Sequence, residues 1–192
     1  MAREKELQDK RRRIMAVALG LLAERGFHGA PIAAIAKEAG IGVGTIYRYF
    51  KDKDSLIHAI FRELHDRYQQ QLLAEFDPDR PLPKRFSQIF SFLLRMFITA
   101  PAEFRFMELY YYSPYATASA ARLPAEEGLI LQTLQEAREQ GLCKNVPMQA
   151  LEAMAWGPVV ALAKEHSNRH LAVNDEIIAQ TVRASWDAIR NS

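Results

Sequence analysis

The chain has 192 residues, 49% apolar and 25% charged, with a net charge of +2. That composition suits a soluble globular protein, and no apolar run approaches the roughly 20 residues that span a bilayer. A single cysteine, Cys143, excludes an internal disulfide and fits a reducing cytoplasm, and the charged N-terminus MAREKELQDKRRRI carries no apolar signal core.

The small net charge hides an asymmetry. Residues 1–53 hold 11 Lys/Arg against 6 Asp/Glu, whereas residues 54–192 hold 14 against 17. A basic N-terminal part on a mildly acidic remainder points to a polyanion facing the N-terminal part alone.

Sustained apolar/polar alternation is missing, and helical spacing is everywhere. Ile14, Ala18, Leu21 and Leu22 form one stripe of a first helix from about Gln8 to Arg25, which Gly26 closes. Phe27 then tucks back toward the core. Pro31 opens a short second helix with Ile32, Ile35 and Ala36 inward, ended by Gly40. A third short helix spans about Val43 to Tyr49. A long fourth starts near Asp54 and stops before Asp77-Pro78. Further helices follow over about Pro83–Thr99, Ala102–Tyr112 and Ala125–Gln140, with a loop of small residues bracketed by Pro114 and Pro124. The next spans Met148 to about His166 and is interrupted at Gly157-Pro158. Asn174 is a natural N-cap for the last, through about Ile189.

The glycine-spaced stretch AGIGVGTIYRYF at residues 39–50 can serve either a nucleotide or a nucleic-acid backbone. A dinucleotide fingerprint requires a preceding strand and G-x-G-x-x-G spacing. Here a helix precedes, and Thr45 stands three after Gly42. No cofactor is expected. A helix, a glycine turn and a short helix in a basic module instead describe a helix-turn-helix. On a helical wheel Ile46 and Phe50 face inward, while Arg48 points nearly opposite with Gly44 beside it and Thr45 and Tyr47 on the flanks. That outward face offers a bidentate donor for guanine, hydroxyls for phosphate, and a glycine that obstructs nothing.

Residues of about 11–57 resemble the DNA-binding module of the TetR family of bacterial transcriptional regulators, through AERGF, IAKEAGI, GTIYRYF and KDKDSLI in order and with the family's spacing. The resemblance implies an all-α protein. A helix-turn-helix DNA-binding domain (residues 1–53) would be followed by a helical ligand-binding and dimerisation domain (residues 54–192), joined by the long fourth helix. It implies that Thr45 opens the recognition helix, that Tyr47 contacts phosphate, and that Arg48 faces bases or phosphate. Tyr49 would touch backbone and Lys53 bind phosphate. The sequence departs from the family pattern at Gly42, where Ser is common. It departs again at Val43, which either touches a thymine methyl or packs inward. Ala30-Pro31-Ile32-Ala33 lacks the usual hydroxyls, and the run Lys10–Arg13, with Arg12 as its candidate contact, can compensate.

In the second half, residues 86–115 hold ten of the chain's 19 aromatics. Phe86, Phe90, Phe97, Phe104, Met107, Tyr110 and Tyr111 are the candidates to line a site for an apolar or aromatic effector. The same residues can equally be core. Trp156 and Val159 on one late helix, and Ile178, Val182, Ser185, Trp186 and Ile189 on the last, are candidates for a homodimer interface, again as the resemblance implies. His166 and His170 are four apart but lack a third ligand, so no metal site is expected. The expected function is a ligand-responsive repressor of a pseudo-palindromic double-stranded DNA operator. The alternatives are a ligand-activated DNA binder or activator and, remotely, a helical enzyme on an apolar substrate, for which no catalytic constellation is visible.

Overall fold

The computed structural model describes residues 2–118, 128–169 and 171–191. Among them the chain is all-α, with α1 Ala2–Gly29, α2 Ile32–Glu38, α3 Val43–Tyr49, α4 Lys53–Glu75, α5 Leu82–Thr99, α6 Pro101–Tyr111, α7 Pro114–Ala118, α8 Gly128–Glu139, α9 Met148–Arg169 and α10 Asp175–Ile189. No described helix is long and apolar enough to cross a membrane. His170 and the start of the helix expected from Ala125 lie outside the described residues.

Three expectations change. First, α1 begins six residues earlier than expected and runs past Gly26, whose φ of 72° breaks the helical path and places Phe27 inward. Only glycine takes that φ without steric cost. Second, the stretch after Pro114 opens with a helical turn, α7, instead of a loop. Third, Pro158 does not interrupt α9. Its missing N–H leaves the Met154 carbonyl without the usual intrahelical donor, yet the helix continues.

Contacts group the chain into two compact units, Met1–Gln69 with Ala102–Ala121, and Gln70–Pro101 with Arg122–Ser192. The interior of the first is built from Ile14, Ala18 and Leu22 of α1, Ile35 of α2, Ile46 of α3, and Leu56, Ile57 and Ile60 of α4. On α6, Tyr110 stacks on Phe61 of α4, ring centroids 3.8 Å apart and nearly parallel. Its hydroxyl lies 2.9 Å from His58 Nδ1. Glu103 accepts from the Arg67 guanidinium and from the Tyr68 hydroxyl. Tyr115 of α7 donates to Asp54 at 2.9 Å. Burial, then the Asp54 carboxylate, push its pKa up to about 12.

In the second unit α10 packs on α9 and α5, and α8 on α5 and α9. Phe86 and Phe90 stack at 4.2 Å. Trp186 approaches Phe86 at 5.1 Å and Trp156 approaches Phe90 at 5.2 Å. The end of α10 is tied to the loop before α9. Lys144 N–H donates to the Ile189 carbonyl, Lys144 Nζ to the Ala188 carbonyl, and Asn191 N–H to the Leu142 carbonyl. Carbonyls that a helix end leaves orphaned are thereby satisfied.

Candidate nucleic-acid interface

α2 ends in a two-bond closure. Ile41 N–H donates to the Ala36 carbonyl and Gly40 N–H to the Lys37 carbonyl, with Gly40 at φ 66°. This is the Schellman arrangement, and the left-handed residue in it favours glycine. The turn delivers the chain to Gly42, which caps α3 without a side-chain bond. Ile46 and Phe50 are buried and hold α3 on the module. Phe50 leaves the helix in an extended conformation, its N–H still bonded to the Ile46 carbonyl. Asp52 then caps α4 reciprocally. Its carboxylate accepts from Ser55 N–H at 2.7 Å, while Asp52 N–H donates to the Ser55 hydroxyl at 3.1 Å. The Ser55 N–H, and then its hydroxyl, hold the Asp52 pKa below its ordinary value.

The structure places the candidate contacts as follows. Gly42, Val43, Gly44, Tyr47 and Arg48 are exposed on one surface of α3, Tyr47 at 51%, and Thr45 and Tyr49 are half-buried. No carboxylate interrupts α3 itself. Val43 is 39% exposed, so it is not wholly packed inward.

The basic run of α1 divides its work. Arg12 and Arg13 are exposed. Arg11 instead turns inward, its guanidinium 5.2 Å from the Phe50 ring centre and 3.9 Å from Glu63. It thus bridges α1 to the end of α3 and to α4, a structural role that the charge run alone did not announce. Lys53 is half-buried and its Nζ donates to the Phe27 carbonyl, just past the Gly26 break. Burial lowers its pKa. Lys53→Met is therefore expected to cost about 1 kcal/mol of folding stability through the lost bond, read as a shift in urea midpoint. A midpoint unchanged from wild type would reduce Lys53 to a surface cation.

The seven candidate effector contacts divide between the two units. Phe86, Phe90 and Phe97 belong to the second. There Phe86 and Phe90 are wholly buried against each other and the two tryptophans. Phe104, Met107 and Tyr110 are buried in the first unit, and Tyr111 is 56% exposed. An open groove of about 250 Å³ on the second unit is lined by Glu75, Arg80, Lys84, Ser87, Gln88, Ser91, Phe92 and Arg95. None of the seven lines it.

The candidate interface residues are also placed differently from expectation. Val159, Ile178, Val182, Ser185 and Ile189 are buried inside a single chain, and Trp156 and Trp186 are half-buried. Their stripe is taken up by the chain's own α5–α9–α10 packing and offers little surface to a second copy. The faces that α9 and α10 leave open carry Ala153, Met154, Gly157 and Ala161, and Ala179, Arg183, Ala184 and Asp187.

Residues 14–60 match the family model of bacterial regulatory proteins, tetR family, and residues 81–190 that of the tetracyclin repressor-like C-terminal domain. The chain belongs to the TetR family. A TetR family transcription regulator from Marinobacter aquaeolei has a similar crystal structure. Its TM-score is 0.87 at 25% identity, covering 98% of this chain and all of that one. An HTH-type transcriptional regulator of Haemophilus influenzae is 22% identical over 88% of this chain and 90% of its own length. The fatty acid metabolism regulator protein of Bacillus subtilis is 34% identical over 68 residues. That match spans 35% of this chain and 35% of the regulator. FadR from Bacillus subtilis, solved in complex with stearoyl-CoA, has a TM-score of 0.73 at 17% identity over 92% of this chain and 96% of its own, a likeness of fold alone. TetR proteins are regulators, and the family assignment places this chain among them and not among enzymes.

Proposed function

We propose that the protein is a cytoplasmic homodimeric repressor that binds a pseudo-palindromic double-stranded DNA operator and leaves it when a small apolar or aromatic molecule binds. Residues 1–53 would form the DNA-binding domain and residues 54–192 the effector and dimerisation domain. The observation that carries the reading is the surface of α3. Tyr47 and Arg48 stand exposed beside the bare backbone of Gly44, on a short helix anchored from behind by Ile46 and Phe50. A helix held this way can enter a major groove, with hydroxyl and guanidinium reaching phosphates and base edges. Selection of a binding sequence from random duplexes, followed by footprinting across a salt series, tests it. Enrichment of a two-fold-related site is expected, with affinity falling steeply as salt rises. No enrichment would end the proposal.

Gly157 supports the dimer. It lies inside α9, exposed, where an added Cβ would meet no atom within 4 Å. Mid-helix glycine costs about 1 kcal/mol relative to alanine, although here the following Pro158 would crowd a Cβ at this position. The open, side-chain-free surface there also leaves room for a second α9 or α10 to approach closely. Gly157→Ala should therefore weaken self-association several-fold in sedimentation. Tighter association of the variant would remove Gly157 from the interface.

The effector reading rests on the aromatic content of α5 and α6. Because most of those rings, Tyr111 apart, are packed, an effector would act by favouring a conformer that opens around it, through its differential affinity for the two states. A thermal-shift panel of aromatic, fatty acyl and anionic compounds, with operator release as the second readout, tests this. Stabilisation by small anions alone would overturn it.

A further inference from the structure

The open groove on the second unit has a chemistry that neither an operator nor an aromatic effector uses. Its lining holds three cations, Arg80, Lys84 and Arg95, against one carboxylate, Glu75. α5, which forms its long side, carries Lys84, Arg85 and Arg95 and no Asp or Glu. Arg85 is taken up elsewhere, by Glu136 of α8. Lys84, Gln88, Ser91 and Arg95 recur at i, i+4, i+7 and i+11, so they stand in one row along the helix. Gln88 braces the wall. Its amide donates to the Glu75 carbonyl and accepts from Asp77 N–H at 3.5 Å, which holds the chain leaving α4 against α5.

The fold gains little from these cations where they stand. Lys84 is exposed and forms no ion pair among the described residues. It lies in the first turn of α5, where a positive charge opposes the helix macrodipole. Arg95 donates to Asp175 through Nε and a terminal nitrogen, at 3.2 and 2.9 Å, but both side chains are more than half exposed. Such a pair is worth little, so the guanidinium can exchange it for another anion. Between the two charges Phe92, half-buried, gives the groove an apolar flank. Lys84 and Arg95 lie about 16 Å apart along the helix axis, at 1.5 Å per residue.

A charge at each end and an apolar flank between them define the complementary molecule. We propose that this groove, of about 250 Å³, binds a linear dicarboxylate. One carboxylate sits at the Lys84 end, the other on the Arg95 guanidinium, and the methylene chain lies along Ser91 and Phe92. The planar fork of arginine suits a carboxylate in bidentate fashion, and lysine serves as a point charge. None of the aromatic effector candidates lines the groove, so this site stands or falls separately from the operator and aromatic-effector readings.

Calorimetric titration of the full chain at physiological ionic strength tests it, with linear dicarboxylates from succinate to sebacate and the monocarboxylate of each length as control. Affinity is expected to pass through a maximum at an intermediate length, because both ends must be reached at once. The monocarboxylate of that length should bind about tenfold more weakly, the loss of one charged hydrogen-bonded contact. Lys84→Ala and Arg95→Ala should each bring the best dicarboxylate down to the level of its monocarboxylate. Asp175→Asn, which releases Arg95, should tighten binding. All three positions are exposed, and melting temperatures close to that of wild type would show that the fold is intact. Absence of dicarboxylate binding would overturn the proposal. So would an affinity independent of chain length, the mark of diffuse charge attraction, or one that rises steadily with carbon number in both series, the mark of apolar binding elsewhere. Full dicarboxylate affinity in Lys84→Ala or Arg95→Ala would overturn it as well.

Discussion

Tyr110→Ala is expected to destabilise the fold by about 3–5 kcal/mol, the range for deleting a large buried ring. The side chain is 2% exposed and lies flat on Phe61 at 3.8 Å, with Phe106 and Tyr115 further out at 6.5 Å. Removing the ring would leave a void facing several aromatics that cannot all move to fill it. Tyr110→Phe separates the two components. It keeps the stack and deletes the hydroxyl that meets His58 Nδ1, so it should cost about 1 kcal/mol. Urea denaturation measures both, as midpoint shifts at constant m-value. The result also bears on the effector. A residue kept for ligand contact would lose effector affinity with little change in stability. A Tyr110→Ala midpoint within a few tenths of a kcal/mol of wild type would sink the core assignment.

How much of this was legible in the sequence depends on whether the signal was local. The bounds of α3, Val43–Tyr49, were readable because Gly42 and the chain around Lys51 punctuate a short segment with two inward residues. Asn174 was readable as a cap, and its side chain does accept from Ile177 N–H at 2.9 Å. The helix α7 was missed because prolines and small residues suggested a loop. The clue was Ser113-Pro114: the Ser113 hydroxyl accepts from Tyr115 N–H at 3.2 Å, and proline fits the first helical position. The α10 stripe was read as a homodimer interface, because periodicity says only that a face is covered, never by what. Ile178, Val182, Ser185 and Ile189 are covered by their own chain. The aromatics posed the same problem, since composition cannot separate a packed interior from a cavity. Phe86 and Phe90 stack in a way that only three dimensions reveal. Arg11 escaped notice inside a charge run because its two partners, Phe50 and Glu63, are distant in sequence.

Arg48→Ala should weaken binding to the selected operator by about 1–3 kcal/mol, or roughly 5- to 150-fold, if the guanidinium reads a guanine in bidentate fashion. Arg48 is exposed in the last turn of α3, and no ion pair among the described residues restrains it. Its fork is thus available, unlike that of Arg11, which lies over Phe50. Two outcomes separate base reading from phosphate binding. A base contact predicts that the variant loses preference at one operator position while its affinity for random DNA hardly changes. A phosphate contact predicts uniform weakening on every sequence and a salt dependence shallower by about one unit. The base contact is expected, because Arg48 lies about 180° from the helix's inward side at 100° per residue, with Gly44, one turn earlier, presenting no side chain in the way. Tyr47→Phe provides the contrast, since losing one hydroxyl to phosphate should cost all sequences alike. If Arg48→Ala kept the full position-by-position preference of wild type, α3 would not be reading bases through this residue.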